Sequence, residues 1–467
     1  MSRRDGLEPE SNGDSVDDAF AYHSPMDPQP QTAAEAPARE IGQPGPIHSA
    51  ALNRAEQAVD ALLHEAHLAS GHDLPGLVAR HAEPLGGHDA MLYLVDLQQR
   101  VLVPFVPARP SRDEHQVPLG VESTVAGRAF QLVQTLTQEL GPDERHAGRT
   151  RVWLPLLDGT ERLGVLAVTV DDAAQLEQRD RPLAVRLERF ASIIAELVVT
   201  KTLVGDTLVR IRRTSPMGLA AEIQWSSLPP VTFANETVTV ASGVEPAYEV
   251  AGDSLDYAVD EDLARFAVFD GMGHGLASAQ LSNLVVAAYR NARRAGLSLV
   301  ETAEHVDSAV SEIYDGESFA TGLLGELDTV TGRFSWLSAG HLEPLVLRDG
   351  RMVRILEVEP ALPFGLSRGL GAPNVSGTVG AEQLEPGDLL LLYTDGVTEA
   401  RSPEGEFFGL ERLIDLVVRS LAAGLPAPET MRRTVHALLA HQSGDLDDDA
   451  TLVLVQWHGH PKGSLDS

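Results

Sequence analysis

Apolar residues in the first half of the chain follow two successive patterns. Helical spacing predicts helices over residues 50–69 and 74–82. Strand-like runs come next, and the two clearest, at residues 151–157 and 163–170, are joined by a short polar turn. Helices that flank a set of strands are typical of a sheet covered by helices, so we predict an α/β sandwich here.

A long helix is predicted after this sandwich, beginning near Pro182, because proline suits the first turn of a helix. Its apolar positions alternate steps of four and three, and Lys201 alone breaks the series. The apolar members are Leu183, Leu187, Phe190, Ile194, Leu197, Val204, Leu208 and Ile211. A sustained period of about 3.5 residues favours a coiled coil, and therefore a parallel homodimer through this helix. The alternative is an amphipathic helix that packs on its own domain.

The second half of the chain alternates strands and helices, with aspartates at the ends of apolar strands. Asp270 ends one strand, Asp395 follows another, and residues 445–449 place acidic side chains before the last strand. The glycines after Asp270 have neither the P-loop lysine nor the dinucleotide spacing, which excludes those nucleotide-binding loops. The negative charge of carboxylates beside buried strands must be balanced, and divalent cations shared by several carboxylates provide that balance.

Composition narrows the classes of function. Among 467 residues, 68 acidic side chains exceed 36 Lys and Arg side chains, which gives a formal net charge of −32. This charge disfavours sequence-independent binding to nucleic acid and to anionic membranes. Cysteine is absent from the sequence, which excludes disulfides, thiolate nucleophiles and Cys-zinc sites. We find no apolar window of membrane-spanning length and no secretory leader, and we expect a cytoplasmic protein.

One segment of the first half resembles a known sensory domain. Residues 118–130, together with the hairpin at residues 151–170, resemble a GAF domain, and the resemblance extends over about residues 50–195. It implies that this part of the chain senses a signal, which the sequence does not identify.

The acidic turns of the second half resemble those of metal-dependent serine/threonine protein phosphatases (the PPM family), in the bacterial SpoIIE-like branch. The motifs stand in the family's order at residues 252–253, 269–275, 338–341, 393–399 and 448–451. The resemblance implies a β-sandwich flanked by pairs of helices, the αββα arrangement. It also implies two Mn²⁺ or Mg²⁺ ions at one end of that sandwich.

The resemblance also implies a role for each acidic position. Asp270 would bridge both ions. Asp253 and the backbone carbonyl of Gly271 would complete one metal site, and Asp395 and Asp448 would complete the other. These residues are the expected catalytic and metal-binding set.

Other positions near these motifs are not expected to bind the metals directly. Asp256 matches an acidic position that we expect in the outer shell of the metals. The chain departs from the family at Ala251 and at Ser254-Leu255, which affects substrate fit more than metal binding. His274 and His341 are candidate general acids, and the alternative is that both are hydrogen-bonded turn residues.

We therefore predict an α/β multidomain protein with five segments. They are an acidic disordered tail at residues 1–45, a GAF-like sensory domain at 46–180, a helical coiled-coil linker at 181–218, a SpoIIE-like phosphatase domain at 219–458 and a flexible C-terminal tail at 459–467.

The expected function is dephosphorylation of phosphoserine or phosphothreonine under control of the sensor. By resemblance, the substrate would be a phosphorylated anti-sigma-factor antagonist. One alternative is a catalytically silent regulatory module of the same fold, although all four family aspartates are present. The other is a phosphatase of small phosphate esters.

Overall fold

A computed structural model describes most of the chain after residue 45. The described residues are 46–106, 117–142, 144, 147–171, 173–177, 181–245, 248, 252–370, 377–443, 446 and 448–459, with side chains from residue 54 onward. One compact unit begins at Ala50. The predicted tail at residues 1–45 lies outside the described residues, and so do all but the first residue of the predicted C-terminal tail.

The N-terminal domain, which extends to Arg212, is a six-stranded antiparallel sheet with helices on both faces. Its strands are β1 (His88–Val95), β2 (Val101–Phe105), β3 (Leu119–Gly120), β4 (Leu136–Glu139), β5 (Thr150–Asp158) and β6 (Glu161–Val170). Its helices are α1 (Pro46–Leu68), α2 (Leu74–Ala82), α3 (Val125–Leu132), α4 (Ala174–Glu177), α5 (Pro182–Thr202) and α6 (Thr207–Arg212). The strand order is β3-β2-β1-β6-β5-β4. The predicted helices and hairpin of this half are confirmed.

Two apolar cores lie on the two faces of this sheet. Leu62 of α1, Leu77 of α2 and Phe190 of α5 are buried against one face. Phe130 of α3 is buried against the other face, beside Trp153 of β5. Both faces are therefore covered, as the α/β sandwich prediction required.

The helix predicted from Leu183 to Ile211 is not continuous, and the coiled-coil prediction is wrong. α5 ends at Thr202, and a turn separates it from α6, which begins at Thr207. The apolar face of α5 lies in the core of its own domain, so it is not available to a second chain, and the homodimer predicted through this helix loses its basis. Apolar residues at steps of three and four suit packing on a sheet as well as on a helix. Within the described ranges, neither α5 nor any other helix is long and apolar enough to cross a membrane.

The C-terminal domain contains eleven strands and six helices among the described residues. The strands are β7 (Thr232–Ala234), β8 (Val238–Glu245), β9 (Asp253–Val259), β10 (Leu263–Gly271), β11 (Ala320–Asp328), β12 (Arg333–Ala339), β13 (Leu345–Arg348), β14 (Arg351–Ile355), β15 (Gly380–Gln383), β16 (Leu389–Tyr393) and β17 (Ala450–Trp457). The helices are α7 (Leu219–Ser227), α8 (Leu276–Arg294), α9 (Leu299–Tyr314), α10 (Asp395–Thr398), α11 (Leu410–Ala422) and α12 (Ala427–His441).

These strands form two sheets that pack face to face between two layers of helices. One sheet has the order β15-β12-β11-β10-β9 and the other has the order β14-β13-β16-β17-β8-β7. Phe266 and Val268 of β10 lie in the core between the sheets, whereas Ala267 and Phe269 face α8 and α9. α11 and α12 cover the outer face of the other sheet. Because both faces of β10 are buried, its sequence is almost continuously apolar, and the predicted helix-flanked sandwich is confirmed.

The packing of α5 makes a testable prediction about association. Phe190→Ala should lower the free energy of unfolding by about 3–5 kcal/mol, because the ring is fully buried in the N-terminal core. Lys201→Leu should leave the association state unchanged, since the neighbouring apolar side chains already pack on the sheet. Urea unfolding and light scattering measure the two effects. A dimer that appears or strengthens with Lys201→Leu would contradict this packing.

Candidate metal centre

The five-stranded sheet of the C-terminal domain, which contains β9 and β10, places two aspartates side by side at one end of the sandwich. Leu255 on β9 and Val268 on β10 point into the core between the sheets. Side chains alternate along a strand, so Asp253 and Asp270 point to the same inner face. The two strands pair antiparallel with Asp253 directly opposite Asp270. Like charges in such a cross-strand pair are destabilising, so this register requires a positive charge that offsets the repulsion between the two carboxylates.

The six-stranded sheet of the C-terminal domain, which contains β16 and β17, brings further carboxylates to the same end. β16 ends at Tyr393, and Thr394 links it to Asp395, the first residue of α10. The residues before β17 are Asp448 and Asp449. A hydrogen bond from the Thr394 Oγ1 to the Asp253 Oδ2, 2.6 Å long, joins the two sheets at this end.

Two glycines allow the backbone segments of the site to approach one another. A Cβ atom at Gly396 would lie 1.8 Å from the Asp449 carbonyl oxygen. A Cβ atom at Gly252 would lie 2.4 Å from the Gly271 carbonyl oxygen. Any side chain at either position would therefore push apart segments that carry carboxylates.

The carboxylates raise one another's pKa. Burial, with the charges of Asp270 and Asp449, raises the pKa of Asp253 well above its usual range. Burial, with the charges of Asp395 and Asp448, raises the pKa of Asp270 to about 6. Burial raises the pKa of Asp449 to about 7, and burial with the Asp448 charge also raises that of Asp395. Asp270 thus interacts with carboxylates from both sheets.

No basic side chain in the described part of the chain compensates this acidic cluster, which we define as Asp253, Asp270, Asp395, Asp448 and Asp449. Carboxylate and carbonyl oxygens are the ligands that Mg²⁺ and Mn²⁺ prefer, so the donor set fits a hard divalent cation. Over the described ranges, however, no three His, Asp or Glu side chains already stand close enough to hold one ion. The acidic cluster therefore fits such cations in charge and donor type, and its side chains must reorient to bind them.

Hydrogen bonds hold the two most buried carboxylates. The Asp449 Oδ2 accepts from the backbone N–H of Gly252. The Thr394 hydroxyl, besides donating to Asp253, accepts from the backbone N–H of Thr451 at 2.9 Å. The Gly252–Asp449 and Thr394–Asp253 contacts cross from one sheet to the other, and the Thr451–Thr394 contact links neighbouring strand ends of one sheet, so together they fix the strand ends as well as the carboxylates.

Polar side chains of α7 and α8 support the backbone beneath the site. The Ser278 Oγ donates to the Gly271 carbonyl oxygen at 2.9 Å, and the Ser282 Oγ donates to the Gly252 carbonyl oxygen. The Gln224 Nε2 donates to the Asp253 carbonyl oxygen. None of these residues was predicted from the sequence to have a role, and neither was Thr394 or Asp449. Only Thr394 and Asp449 carry a sequence signal, since they adjoin the predicted ligands Asp395 and Asp448.

The expectation that Asp256 belongs to the outer shell of the metals is wrong. Strand alternation turns Asp256 to the opposite face of β9 from Asp253, toward α8. Its buried carboxylate pairs with Arg290 at 2.7 Å and with Arg293 at 3.0 Å. Asp256 therefore anchors α8 to the sheet instead of serving the acidic cluster.

The two candidate histidines lie in different surroundings. His341 is half-buried, its Nδ1 lies 3.0 Å from the Thr321 hydroxyl, and its Nε2 has no hydrogen-bond partner. Burial lowers the pKa of His341 to about 4, so this imidazole is neutral at pH 7. His274 lies exposed on the loop between β10 and α8. The alternative of a hydrogen-bonded turn residue therefore fits His341, and only His274 is accessible to a substrate.

Comparison with known proteins identifies the type of the C-terminal domain. The family model described as Stage II sporulation protein E (SpoIIE) matches residues 260–458. Protein IcfG of Synechocystis sp. is 31% identical over 173 residues, which are 37% of this chain and 24% of that protein. Phosphoserine phosphatase RsbU of Bacillus subtilis is 24% identical over 243 residues, which are 52% of this chain and 70% of RsbU. Residues 260–458 are thus a SpoIIE-type domain.

Part of the chain is also similar to solved structures. The RsbU and RsbW domains of a Mycobacterium tuberculosis protein superpose with a TM-score of 0.41 at 29% identity, over 48% of this chain and 62% of that one. Among the curated relatives, the chain spans less than a quarter of IcfG and less than half of phosphoserine phosphatase RsbP, of which it matches 44%.

The raised pKa values predict how the metal-free protein responds to pH. Asp270, with a folded pKa of about 6, binds its proton more tightly than in the unfolded chain, where the pKa is about 3.9. Its contribution to stability is therefore present at low pH and is lost as the pH rises through 6. Because asparagine stays neutral, Asp270→Asn should gain stability relative to the wild type between pH 5 and pH 8 in a chelator. Urea unfolding at both pH values measures this, and a difference independent of pH would contradict it.

The hydrogen bond from Thr394 to Asp253, which joins the two sheets, leads to a second prediction. Thr394→Val should lower the free energy of unfolding by about 1–3 kcal/mol, because it leaves a buried backbone N–H without an acceptor and a buried carboxylate without a donor. Thr394→Ser keeps the hydroxyl and should retain most of the stability. Urea unfolding in chelator compares the two variants, and equal losses would show that the hydroxyl does not contribute.

Proposed function

We propose that this chain is a metal-dependent phosphatase of phosphoserine and phosphothreonine proteins, with the acidic cluster as its active site. One observation carries the proposal: carboxylates from both sheets converge at one end of the sandwich and raise one another's pKa without a basic partner. The SpoIIE match at residues 260–458 and the similarity to a phosphoserine phosphatase support the same conclusion.

In this proposal the acidic cluster holds two Mn²⁺ or Mg²⁺ ions. Asp270 would be the ligand shared by both ions, which agrees with its electrostatic interaction with Asp253 in its own sheet and with Asp395 and Asp448 beside the other sheet. Asp253 and the carbonyl oxygen of Gly271 serve one ion, and Asp395 and Asp448 serve the other. Asp395 and Asp448 are exposed, so they form the rim that faces a substrate.

The ions, when bound, activate water and neutralise phosphate oxygens. The chain's own residues orient the groups around them. Thr394 fixes Asp253, and the backbone N–H of Gly252 fixes Asp449, so the deeper carboxylates keep one direction. Neutral, half-buried His341 does not supply a proton to the leaving oxygen at pH 7, which leaves exposed His274 as the histidine for that task.

The surface beside the acidic cluster favours a protein substrate over a small ester. Met272, on the loop after β10, and Leu276, the first residue of α8, flank His274 in the sequence, and each is 43% exposed. A protein substrate could contact these two apolar side chains beside the acidic cluster, which a small ester would not reach. We propose a phosphorylated anti-sigma-factor antagonist as the substrate, in line with the resemblance of the motifs.

We also propose that the N-terminal domain is a GAF-like sensor. Support comes from its arrangement, in which α1, α2 and α5 cover one face of the antiparallel sheet and α3 covers the other. A regulatory input on one domain and chemistry on the other fits a chain in which the two domains are in direct contact.

Phosphate release tests the proposed function. The full-length protein should release phosphate from a phosphoserine antagonist protein in Mn²⁺, lose this activity in chelator, and hydrolyse nucleotides and sugar phosphates far more slowly. Asp270→Asn should reduce release to background, because it removes the ligand shared by both ions. Asp260→Asn is the matched control, since it removes an exposed carboxylate at the other end of the same β9–β10 hairpin.

Two results would overturn the proposal. Binding of the phosphoprotein without any phosphate release would indicate a silent regulatory module. Efficient hydrolysis of a common metabolite, with none on any phosphoprotein, would indicate a phosphatase of small esters.

A further inference from the structure

A cavity of about 430 Å³ lies between the N-terminal domain and helix α7 of the C-terminal domain. One side of it is lined by the turns of the β1–β2 and β5–β6 hairpins and by α6. The other side is lined by α7 and by the loop that leads to β7. Its volume is in the range of cavities that bind small molecules. No residue of the acidic cluster lines this cavity, so it is separate from the proposed active site.

Most of the cavity wall is apolar. Leu97 and Val209 line it from the N-terminal domain, and Trp225 and Pro229 line it from the C-terminal domain. All four residues are half-buried, so part of their apolar surface is still open to the cavity. An apolar group that enters the cavity would remove this surface, and its own, from water.

Arg212, the last residue of α6, brings a positive charge to the cavity. Its Nε donates to the Val95 carbonyl oxygen at 3.1 Å. Nη1 and Nη2 have no acceptor in the described part of the chain, although a guanidinium group has five N–H donors. Burial lowers the pKa of Arg212, so water compensates this charge poorly. Two donor groups therefore remain available to a molecule in the cavity.

Glu161, the first residue of β6, brings a negative charge to the same cavity. Among the described residues, none donates a hydrogen bond to its carboxylate or forms an ion pair with it. Burial raises the pKa of Glu161, whereas the charge of Arg212 lowers it although the two side chains are not in contact. Half-buried charged groups that are left unpaired in this way are uncommon in folded proteins and require an explanation.

The two charges select a ligand that carries both signs. An anion that pairs with Arg212 would be repelled by Glu161, and a cation that pairs with Glu161 would be repelled by Arg212. A zwitterion satisfies both groups at once. Its carboxylate suits the planar guanidinium, which binds carboxylates through two parallel hydrogen bonds, and its ammonium group suits the carboxylate of Glu161.

We propose that this cavity binds an α-amino acid with an apolar side chain. The ligand carboxylate accepts from the Nη groups of Arg212, and the ligand ammonium group donates to Glu161. The apolar side chain packs against Trp225 and Pro229. One carbon atom joins the two charged groups of the ligand and keeps them close together, which suits two protein charges that interact without touching. The site goes beyond the proposed phosphatase activity and does not depend on it.

Calorimetric titration of the full-length protein with L-phenylalanine and L-leucine tests this site. The matched probes are the same molecules without the ammonium group, phenylpropionate and isocaproate, and without the carboxylate, phenethylamine and isoamylamine. Each probe should bind about 10- to 100-fold more weakly than its parent amino acid, because it leaves one protein charge without a partner.

Two variants test the assignment of the charges. Glu161→Gln should weaken amino-acid binding by about 10- to 100-fold and should not weaken binding of phenylpropionate, which has no ammonium group. Arg212→Met should weaken amino-acid binding to a similar extent and should not weaken binding of phenethylamine, which has no carboxylate. Arg210→Met is the matched control, since Arg210 is exposed on the same helix and does not line the cavity.

Glu161→Gln keeps the proposal testable if Arg212→Met does not fold, as judged by circular dichroism. Its carboxylate accepts no hydrogen bond from the described residues, so we expect this variant to fold.

Three results would overturn the proposal. They are the absence of binding of both amino acids to the wild type, binding of the singly charged probes as tight as that of the amino acids, and wild-type amino-acid affinity in Glu161→Gln. None of them bears on phosphate release, because the acidic cluster lies outside this cavity.

Discussion

The convergence of like charges at one end of the sandwich is the constraint on which the C-terminal domain depends. Strand register places Asp253 opposite Asp270, and the second sheet adds Asp395, Asp448 and Asp449 at the same end. This arrangement opposes folding, because burial and mutual repulsion both disfavour the ionised carboxylates. The apolar core between the sheets, which includes fully buried Phe266 and Phe334, supplies the opposing stabilisation. A strongly perturbed acidic group without a basic partner is characteristic of a functional site.

Much of this site is predictable from sequence because it follows from strand endings. An apolar strand that stops at an aspartate indicates a carboxylate at a sheet edge, and several such endings indicate a shared site. The same reasoning did not separate Asp253 from Asp256, because it did not show that one strand, β9, includes both residues; within that strand, alternation places them on opposite faces. Thr394 and Asp449 gain their roles from hydrogen bonds between the sheets, and no periodicity along one strand carries that information.

Helix α5 shows a different limit of sequence patterns. Steps of three and four residues define an apolar face, and the same face packs on a helix of another chain or on a sheet of its own domain. α5 packs chiefly on β5 of its own domain, and the spacing of its apolar residues does not specify which apolar surface they meet. The ion pair between Arg162 and Glu429 cannot be predicted from the sequence pattern for the same reason, since the two residues are 267 positions apart. Each is an unremarkable surface charge in its local sequence.

The contact between the two domains, in which Arg162 pairs with Glu429, is charged, and this character suits a regulated connection between domains. An apolar contact tolerates small displacements, because dispersion and burial decline gradually. The buried Glu429 carboxylate is held by Arg162 of the N-terminal domain and by Arg432 and Arg433 of its own helix, so separation of the domains would remove one of its three cationic partners. α12 combines a polar stripe, formed by Glu429, Arg432 and His436, with an apolar face that packs on β8. One helix therefore contacts the N-terminal domain with its polar stripe and packs on the sheet of the C-terminal domain with its apolar face.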